Sequence, residues 1–392
     1  MVNSGRIIFI EVPVSLAEEI KTLSKDSADT DFRIDPSIPL PIEAQDEDGS
    51  GIINAGDIAE KISWEMILAG MIRIIEDEKK TIDGLQTGGT IEGVKPHWVN
   101  YYRKFVLTIK PEIYSEFTGA AVIKARNRDF DAALEIIAVL ESLFPLSPEV
   151  LLNKALIQEE EAAELERKGC EMEAALACDK TMETYTRALS LEPVLPALFF
   201  NFGFFHVSRK NYIKALECFG EYILISDDAG KREKAGEIMR EIQTSGLDNP
   251  KYSESLQLIQ HGREGEALLL IRDFLEEHPM VWNAWFVLGW ALRKQARYGD
   301  ALASFRKAME LGGATPDTRN EAAICLMELG ELAEAGRELE AALRSEPENV
   351  KIISNLGMLE LKKGRPGEAA GFFRTVLEIN PQDPLAQKYF SS

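Results

Sequence analysis

Cysteine and histidine are scarce in this sequence, with four residues of each type in 392. The cysteines form no C-x-x-C pair and lie near no histidine cluster, so neither a zinc site nor a disulfide framework is expected. The histidines are dispersed, and the chain has no G-x-S-x-G, HExxH or Gly-rich phosphate-binding pattern. We therefore expect a protein that is not an enzyme and needs no cofactor.

Basic residues are also few, with 44 Lys and Arg against 65 Asp and Glu, a formal net charge of −21. Most of such a surface repels phosphate, so nucleic acid and anionic membranes are not expected partners. No apolar run is long enough to span a membrane. The first residues contain one Arg and a short apolar run broken by Glu11 and Pro13, which is not typical of a signal peptide. A cytoplasmic location is expected.

A spacing of 34 residues runs through the second half of the chain. Alanine recurs at this interval, and small, aromatic and helix-ending residues keep the same register. A period of this length in a helical sequence predicts a repeated structural unit rather than one helical hairpin. The recurring sets are Ala267, Ala301, Ala335 and Ala369; Gly289, Ala323 and Gly357; and Phe305, Leu339 and Phe373.

The unit around residue 290 shows which family this period resembles. It contains W-x-x-L-G at Trp285, Leu288 and Gly289, followed by A-x-x-x-F at Ala301 and Phe305. Both patterns resemble the tetratricopeptide repeat, in which two helices cross closely where a small residue lets them touch. The resemblance implies an all-α solenoid of about seven helical hairpins, wound as a right-handed superhelix. "RIIFIEVPV" and "DFRIDPSIPLPIE" predict a small extended region before it.

Departures from the 34-residue spacing predict the domain organisation. Ala155 and Thr181 lie 26 residues apart where 12 is usual, so both helices of that unit should be about two turns longer. Its "QEEEAAELERK" segment is expected to project into solvent as a spur. An additional helix is predicted as a joint between two repeat segments. The expected organisation is residues 1–45, strand or irregular; 46–229, first repeat segment, with a degenerate unit at 56–112 and the lengthened unit at 148–195; 230–247, linking helix; and 248–392, a segment of four units.

The resemblance implies that the first helices of the units line a concave groove that binds a peptide or protein. In the family an asparagine two residues before the small residue of the first helix often contacts the main chain of the ligand; Val287 and Glu321 interrupt that series here. Apolar groove positions would supply anchors, or would pack against neighbouring helices. The candidate groove residues are Asn153, Phe200, Asn201, Phe204, Asn283, Phe286, Trp290, Arg293, Lys351 and Asn355.

Four basic residues near the groove, Arg293, Lys294, Lys351 and Lys362, suggest a carboxylate or acidic peptide as ligand. The carboxylate clamp of chaperone-binding members is absent, because its places include Phe286, Trp290 and Glu321. The leading hypothesis is a protein-interaction scaffold. The alternative is a structural component that forms homo-oligomers through its C-terminal end, since only "LAQKYFSS" remains to cover the last unit.

One further segment, "DEDGSGIINAGD", resembles the calcium-binding loop of an EF-hand. The candidate ligands are Asp46, Asp48, Ser50 and Asp57, and Gly51 stands where the loop turns. No entering helix or second loop is evident, and the last ligand position holds Asp instead of Glu. An acidic linker that ends in a helix cap explains the same residues. A calcium-responsive adaptor therefore remains a second alternative.

Overall fold

The computed structural model describes residues 6–10, 35, 37–44, 64–82 and 94–391. This part of the chain is all-α apart from two short strands, as the repeat pattern predicts. The chain divides into two compact units, one of residues 1–157 and 190–193 and the other of residues 158–189 and 194–392. The boundary between them falls inside one helix, between Ile157 and Gln158.

The first unit begins with a two-stranded antiparallel sheet, in which Ile8 lies opposite Ile42. Both strands lie within the segments for which the sequence predicts extended backbone. The second strand packs on the first helix so closely that a Cβ at Gly70 would lie 2.6 Å from the carbonyl oxygen of Pro41. The elements of this unit are β1 (Arg6–Ile10), β2 (Leu40–Ala44), α1 (Trp64–Ile82), α2 (Pro96–Ile109), α3 (Ile113–Arg126), α4 (Phe130–Leu143) and the start of α5 (Pro148–Arg167).

The second unit consists of helices only. Several begin at the proline or capping residue that the sequence offers; Thr315 and Asn349, for example, accept hydrogen bonds from backbone N–H groups of the first turn. Its helices after α5 are α6 (Glu171–Leu189), α7 (Pro196–Ser208), α8 (Tyr212–Ile225), α9 (Ala229–Thr244), α10 (Pro250–Gln260), α11 (Glu264–Glu277), α12 (Trp282–Lys294), α13 (Tyr298–Glu310), α14 (Pro316–Leu329), α15 (Leu332–Ser345), α16 (Val350–Lys362), α17 (Pro366–Ile379) and α18 (Pro384–Ser391).

The helix pairs of the second unit meet where the sequence places its small residues. A Cβ at Gly289 would lie 2.8 Å from the ring of Phe305, and the same contact recurs two helix pairs before and two after. The periodic alanines, from Ala267 to Ala369, are fully buried. The absence of a side chain thus lets an aromatic ring of the second helix lie directly on the backbone of the first. The recurring pairs are Gly203 with Phe219, Gly289 with Phe305, and Gly357 with Phe373.

Helix α9 is the additional helix that the sequence predicts, but the boundary between the compact units lies elsewhere. Its Ala235 and Ile242 are buried in one hydrophobic cluster that extends from Tyr212 to Leu359. Because the core continues past α9 without a break, this helix belongs within the second unit. The joint predicted at 230–247 therefore differs from the boundary found within α5.

The lengthened hairpin of α5 and α6 exists, but the predicted solvated spur is wrong. Ala162 and Glu164 are almost fully buried, and the turn after α5 contacts the last repeat. The side-chain amide of Asn380 donates a hydrogen bond of 2.9 Å to the carbonyl oxygen of Lys168. An ion pair of 2.8 Å joins Glu171 to Lys351. The charged composition that suggested solvent exposure is thus accommodated by ion pairs and by contact with the last repeat.

Two polar contacts, one buried and one part-buried, join the helices of the lengthened hairpin in the second unit. The hydroxyl of Thr184 donates to the side chain of Gln158 at 2.8 Å. The hydroxyl of Tyr185 donates to the carboxylate of Glu159. Burial raises the pKa of Glu159 to about 7, although the bond from Tyr185 acts in the opposite direction.

The C-terminal end of the second unit is covered by α18. Ala386 is fully buried, and the ring of Tyr389 lies 4.7 Å from that of Phe373. The hydroxyl of Tyr389 also donates a hydrogen bond of 2.7 Å to the carbonyl oxygen of Pro366. Leu385 and Phe390 of the same helix remain exposed, so assembly into homo-oligomers through this end stays a prediction.

The contact between Gly289 and Phe305 can be tested by adding one methyl group. Gly289→Ala is expected to lower the free energy of unfolding by about 1–3 kcal/mol, because the Cβ overpacks the ring. Gly299→Ala is the matched control, since a Cβ there meets no atom within 4 Å, and it should be neutral or stabilise by about 0.5–1 kcal/mol. Urea unfolding followed by circular dichroism measures both; equal midpoints would contradict the close packing.

The buried carboxyl of Glu159 predicts a pH dependence of stability. Its pKa is higher in the folded protein than the ordinary 4.5, so its protonation favours the fold at low pH. As the pH rises toward about 7 this contribution is lost, and the free energy of unfolding falls by about 2 kcal/mol. Glu159→Gln should remove this part of the pH dependence. The urea midpoint of the variant relative to wild type should therefore rise from about pH 5 to about pH 7.

The exposed Glu183 on α6 offers a control for the same substitution. Glu183→Gln should follow the wild-type pH profile. If Glu159→Gln also follows it, burial does not perturb the carboxyl of Glu159.

Candidate functional site

A cavity of about 870 Å³ lies within the second unit. The first helices of three consecutive repeats, α12, α14 and α16, form one side. The turn between α5 and α6, the end of α7 and the start of α18 supply the rest. The lining residues are Gly169, Cys170, Glu171, Met172, Glu173, Lys210, Phe286, Trp290, Arg293, Asp317, Asn320, Glu321, Ile324, Val350, Lys351, Ser354, Asn355, Asn380, Gln382, Asp383, Pro384 and Leu385.

The 34-residue period explains the arrangement of side chains on the three repeat helices. Phe286, Asn320 and Ser354 occupy one equivalent position in successive repeats, and all three line the cavity. Trp290 and Ile324 form a second such series. Equivalent positions of stacked repeats face the same side. This side of the cavity is aromatic at α12, where Phe286 and Trp290 lie, and polar at α16, where Ser354 and Asn355 lie.

Polar groups suited to a peptide main chain lie at the polar end. The amide nitrogen of Asn355 donates to the side-chain oxygen of Asn320 at 2.7 Å. Ser354 is 7% exposed, and its hydroxyl has no hydrogen-bond partner in the described part of the chain. A buried hydroxyl without a partner costs free energy, so a ligand that hydrogen-bonds to Ser354 would bind more tightly.

The basic groove residues that suggested an acidic ligand are paired within the chain. Arg293 binds the carboxylate of Glu321, and Lys351 binds Glu171. Burial raises the pKa of Glu321, while Arg293 lowers it. The remaining two basic residues also have acidic partners, Lys294 with Glu264 at 3.9 Å and Lys362 with Glu328 at 3.3 Å. A ligand carboxylate would therefore have to compete with intramolecular carboxylates for these four cations, and the acidic ligand stays a prediction.

Each predicted groove ring lies beneath a lysine ammonium of the chain itself. Lys210 lies 5.2 Å from the ring centroid of Phe286, and Lys294 lies 5.5 Å from that of Trp290. All four rings are half-buried, so they pack partly against the protein and partly face outward. The ammonium groups lie over the ring faces, where negative charge density attracts cations. The other two pairs are Lys231 with Phe200 at 5.8 Å and Lys234 with Phe204 at 5.1 Å.

The cavity brings together five of the ten predicted groove residues. These are Phe286, Trp290, Arg293, Lys351 and Asn355. The other five do not line it: Asn153 hydrogen-bonds to Tyr114 in the first unit, Asn201 donates to the carbonyl oxygen of Ala197 in its own helix, Asn283 bonds to Tyr212 and Tyr252, and Phe200 and Phe204 pack on Phe219.

Two groups of residues that line the cavity were not predicted from the sequence. Asn320 and Ser354 stand one and two periods after Phe286, so the repeat register contains the signal for them. The turn at Gly169 carries no such signal, because its approach to Val350 joins parts of the chain far apart in sequence. The calcium candidates Asp46, Asp48, Ser50 and Asp57 lie outside the described residues, and that site remains a prediction.

Neither a metal-binding cluster nor a membrane-spanning helix is present among the described residues. No group of three or more His, Cys, Asp and Glu side chains within them is arranged to hold a metal ion. None of the described helices combines the length and apolar character needed to cross a bilayer.

Curated proteins and solved structures resemble parts of the chain. The cytochrome c-type biogenesis protein CycH of Bradyrhizobium diazoefficiens is 30% identical over 124 residues, which are 30% of this chain and 34% of that protein. The protein of the same name from Pseudomonas aeruginosa is 27% identical over 116 residues, 29% of this chain and 28% of its own length. The chain thus spans about a third of these relatives. A tetratricopeptide repeat protein from Parabacteroides merdae is 14% identical, with 71% of this chain and 98% of that chain covered and a TM-score of 0.40.

Family models supply the direct link between the repeat register and a known family. Models described as tetratricopeptide repeat match residues 252–316 and 326–388. Both ranges lie in the second unit, where the spacing of 34 residues and the paired helices coincide. The sequence register, the helix pairs and these matches identify residues 252–316 and 326–388 as tetratricopeptide repeats.

Proposed function

We propose that this protein is a non-catalytic interaction module that binds a peptide or protein segment in the cavity of its second unit. Tetratricopeptide repeats imply protein–protein interaction. We likewise propose that the ligand lies in this cavity, that the protein is cytoplasmic and that it needs no cofactor. The observation that carries the peptide site is the combination of aromatic side chains with hydrogen-bonding groups in one concave space.

The aromatic end supplies anchoring area for a ligand side chain. Phe286 and Trp290 are half-buried, so each ring is held by the protein and still presents a surface to the cavity. Rings held in this way lose little conformational freedom on binding, which makes them effective anchors. The apolar lining continues through Ile324 on the next repeat helix.

The polar end supplies hydrogen bonds for a main chain. Asn320 and Asn355 are joined by one hydrogen bond, which leaves further side-chain amide donors and acceptors for a ligand. The buried hydroxyl of Ser354 lies on the same wall. A peptide backbone offers the complementary groups at regular intervals. A side-chain anchor at α12 and main-chain contacts at α16 therefore suit one short segment.

The proposal predicts that peptide selection depends on both ends of the cavity. Wild type, Trp290→Ala and Asn355→Ala would be presented to the same phage-displayed library of random dodecapeptides. Wild type should enrich peptides whose binding is reduced about tenfold or more by Trp290→Ala, the loss expected when an interface anchor is truncated. Asn355→Ala should weaken the same peptides through loss of a hydrogen bond and of support for Asn320.

The control is Phe390→Ala, which removes an exposed ring that does not line the cavity. Circular dichroism and molecular mass must first show that all variants are folded and in the same oligomeric state. Peptides that bind wild type, Trp290→Ala and Asn355→Ala equally would place recognition elsewhere on the surface. Should Trp290→Ala unfold, Asn355→Ala still tests the cavity.

A further inference from the structure

The cavity is lined by more acidic than basic side chains. Its lining contains five carboxylates and three cations among the described residues, so the carboxylates exceed the cations by two. Arg293 and Lys351 are held by Glu321 and Glu171. The acidic residues are Glu171, Glu173, Asp317, Glu321 and Asp383, and the basic ones are Lys210, Arg293 and Lys351.

Two of these carboxylates are available to a ligand. Glu173 and Asp317 are exposed, and neither forms an ion pair within the described ranges. Asp317 attracts the charge of Lys210, although the two side chains form no ion pair among the described residues. The net charge of −21 on the whole chain acts in the same direction over a longer range.

The aromatic side chains of the cavity favour the same sign of charge. The lysine ammonium groups over Phe286 and Trp290 lie within 6 Å of the ring centroids, at 5.2 and 5.5 Å. A cation gains electrostatic energy over such a face and a carboxylate does not. A ligand lysine or arginine could replace an intramolecular ammonium at the ring and place its aliphatic stem on the apolar wall.

An acidic ligand would meet a cost that a basic ligand avoids. A ligand carboxylate that displaced Glu321 from Arg293 would separate a pair in which the side chain of Glu321 is 17% exposed. Separating this half-buried pair leaves a carboxylate with poor solvation and no partner. Lys351 is also paired, with Glu171 at 2.8 Å, but both side chains are exposed, so the cost of displacing Glu171 is small.

Resting on the proposed function, we infer that the cavity selects a basic, extended peptide segment. A lysine or arginine side chain lies at the aromatic end formed by Phe286 and Trp290, and the rim carboxylates Asp317 and Glu173 attract its charge. The main chain of the segment hydrogen-bonds at the polar end. Ser354 supports this ligand independently of charge, because its buried hydroxyl lines the cavity without a partner among the described residues.

The charge of selected peptides tests this inference. The dodecapeptide library is enriched on wild type after removal of peptides that also bind Trp290→Ala. The enriched peptides should carry more Lys and Arg than the unselected library and a positive mean net charge. Enriched peptides of zero or negative mean charge would overturn the basic preference and leave the proposed function standing. No enrichment over Trp290→Ala would overturn both.

Substitutions of Asp317 and Glu173 then test whether these two carboxylates attract the basic peptide. The probe is the most enriched peptide, labelled with fluorescein. A comparison peptide, the Gln version, has every Lys and Arg of the probe replaced by Gln. Asp317→Asn/Glu173→Gln should raise the dissociation constant of the basic probe about three- to tenfold, as expected for the loss of two rim ion pairs. The Gln version should bind wild type more weakly and respond little to these substitutions.

The matched control is Asp300→Asn/Glu310→Gln, which makes the same change in net charge outside the cavity lining. The control should change the dissociation constant by less than about twofold, because distant exposed charges are screened by salt. Equal weakening by both pairs would show a response to net charge alone and would overturn the assignment to Asp317 and Glu173.

Discussion

The close contact between a small residue of one helix and a ring of the next is the constraint on which the second unit depends. At Gly289 there is no room for a side chain beside Phe305, and the same holds at Gly203 and Gly357. Burial of each ring removes a large apolar surface from water, worth about 1.5–3 kcal/mol per side chain. Because this contact recurs in alternate helix pairs, it constrains the spacing and orientation of the two helices in each of those pairs.

The cavity is a consequence of that repetition. Equivalent positions on α12, α14 and α16 lie on the same wall, so three residues at intervals of 34 positions, Phe286, Asn320 and Ser354, line one cavity. One face of each repeat helix packs against neighbouring helices, which restricts its residues. The face that lines the cavity is not restricted in this way, and its residues change from aromatic on α12 to polar on α16.

The basic residues at the groove positions of the second unit are paired with carboxylates of the chain, whereas the acidic residues are in excess. Arg293 and Lys351 stand at groove positions, but each is neutralised by a carboxylate from another helix. Glu171 reaches Lys351 only because the lengthened hairpin brings its turn to the last repeat. Basic residues at groove positions therefore do not imply an acidic ligand in this acidic protein.

Sequence alone determined the repeat, the positions of most helices and the residues that pack between them, because these depend on local spacing and on contacts within one period. It also identified Phe286, Trp290 and Asn355, which follow from the register. Only the tertiary structure decided that Gly169 lies against Val350, that Glu321 occupies Arg293, and that the core continues past α9. These outcomes depend on contacts between residues far apart in the chain, whose geometry accumulates over several repeats and leaves no periodic signal in the sequence.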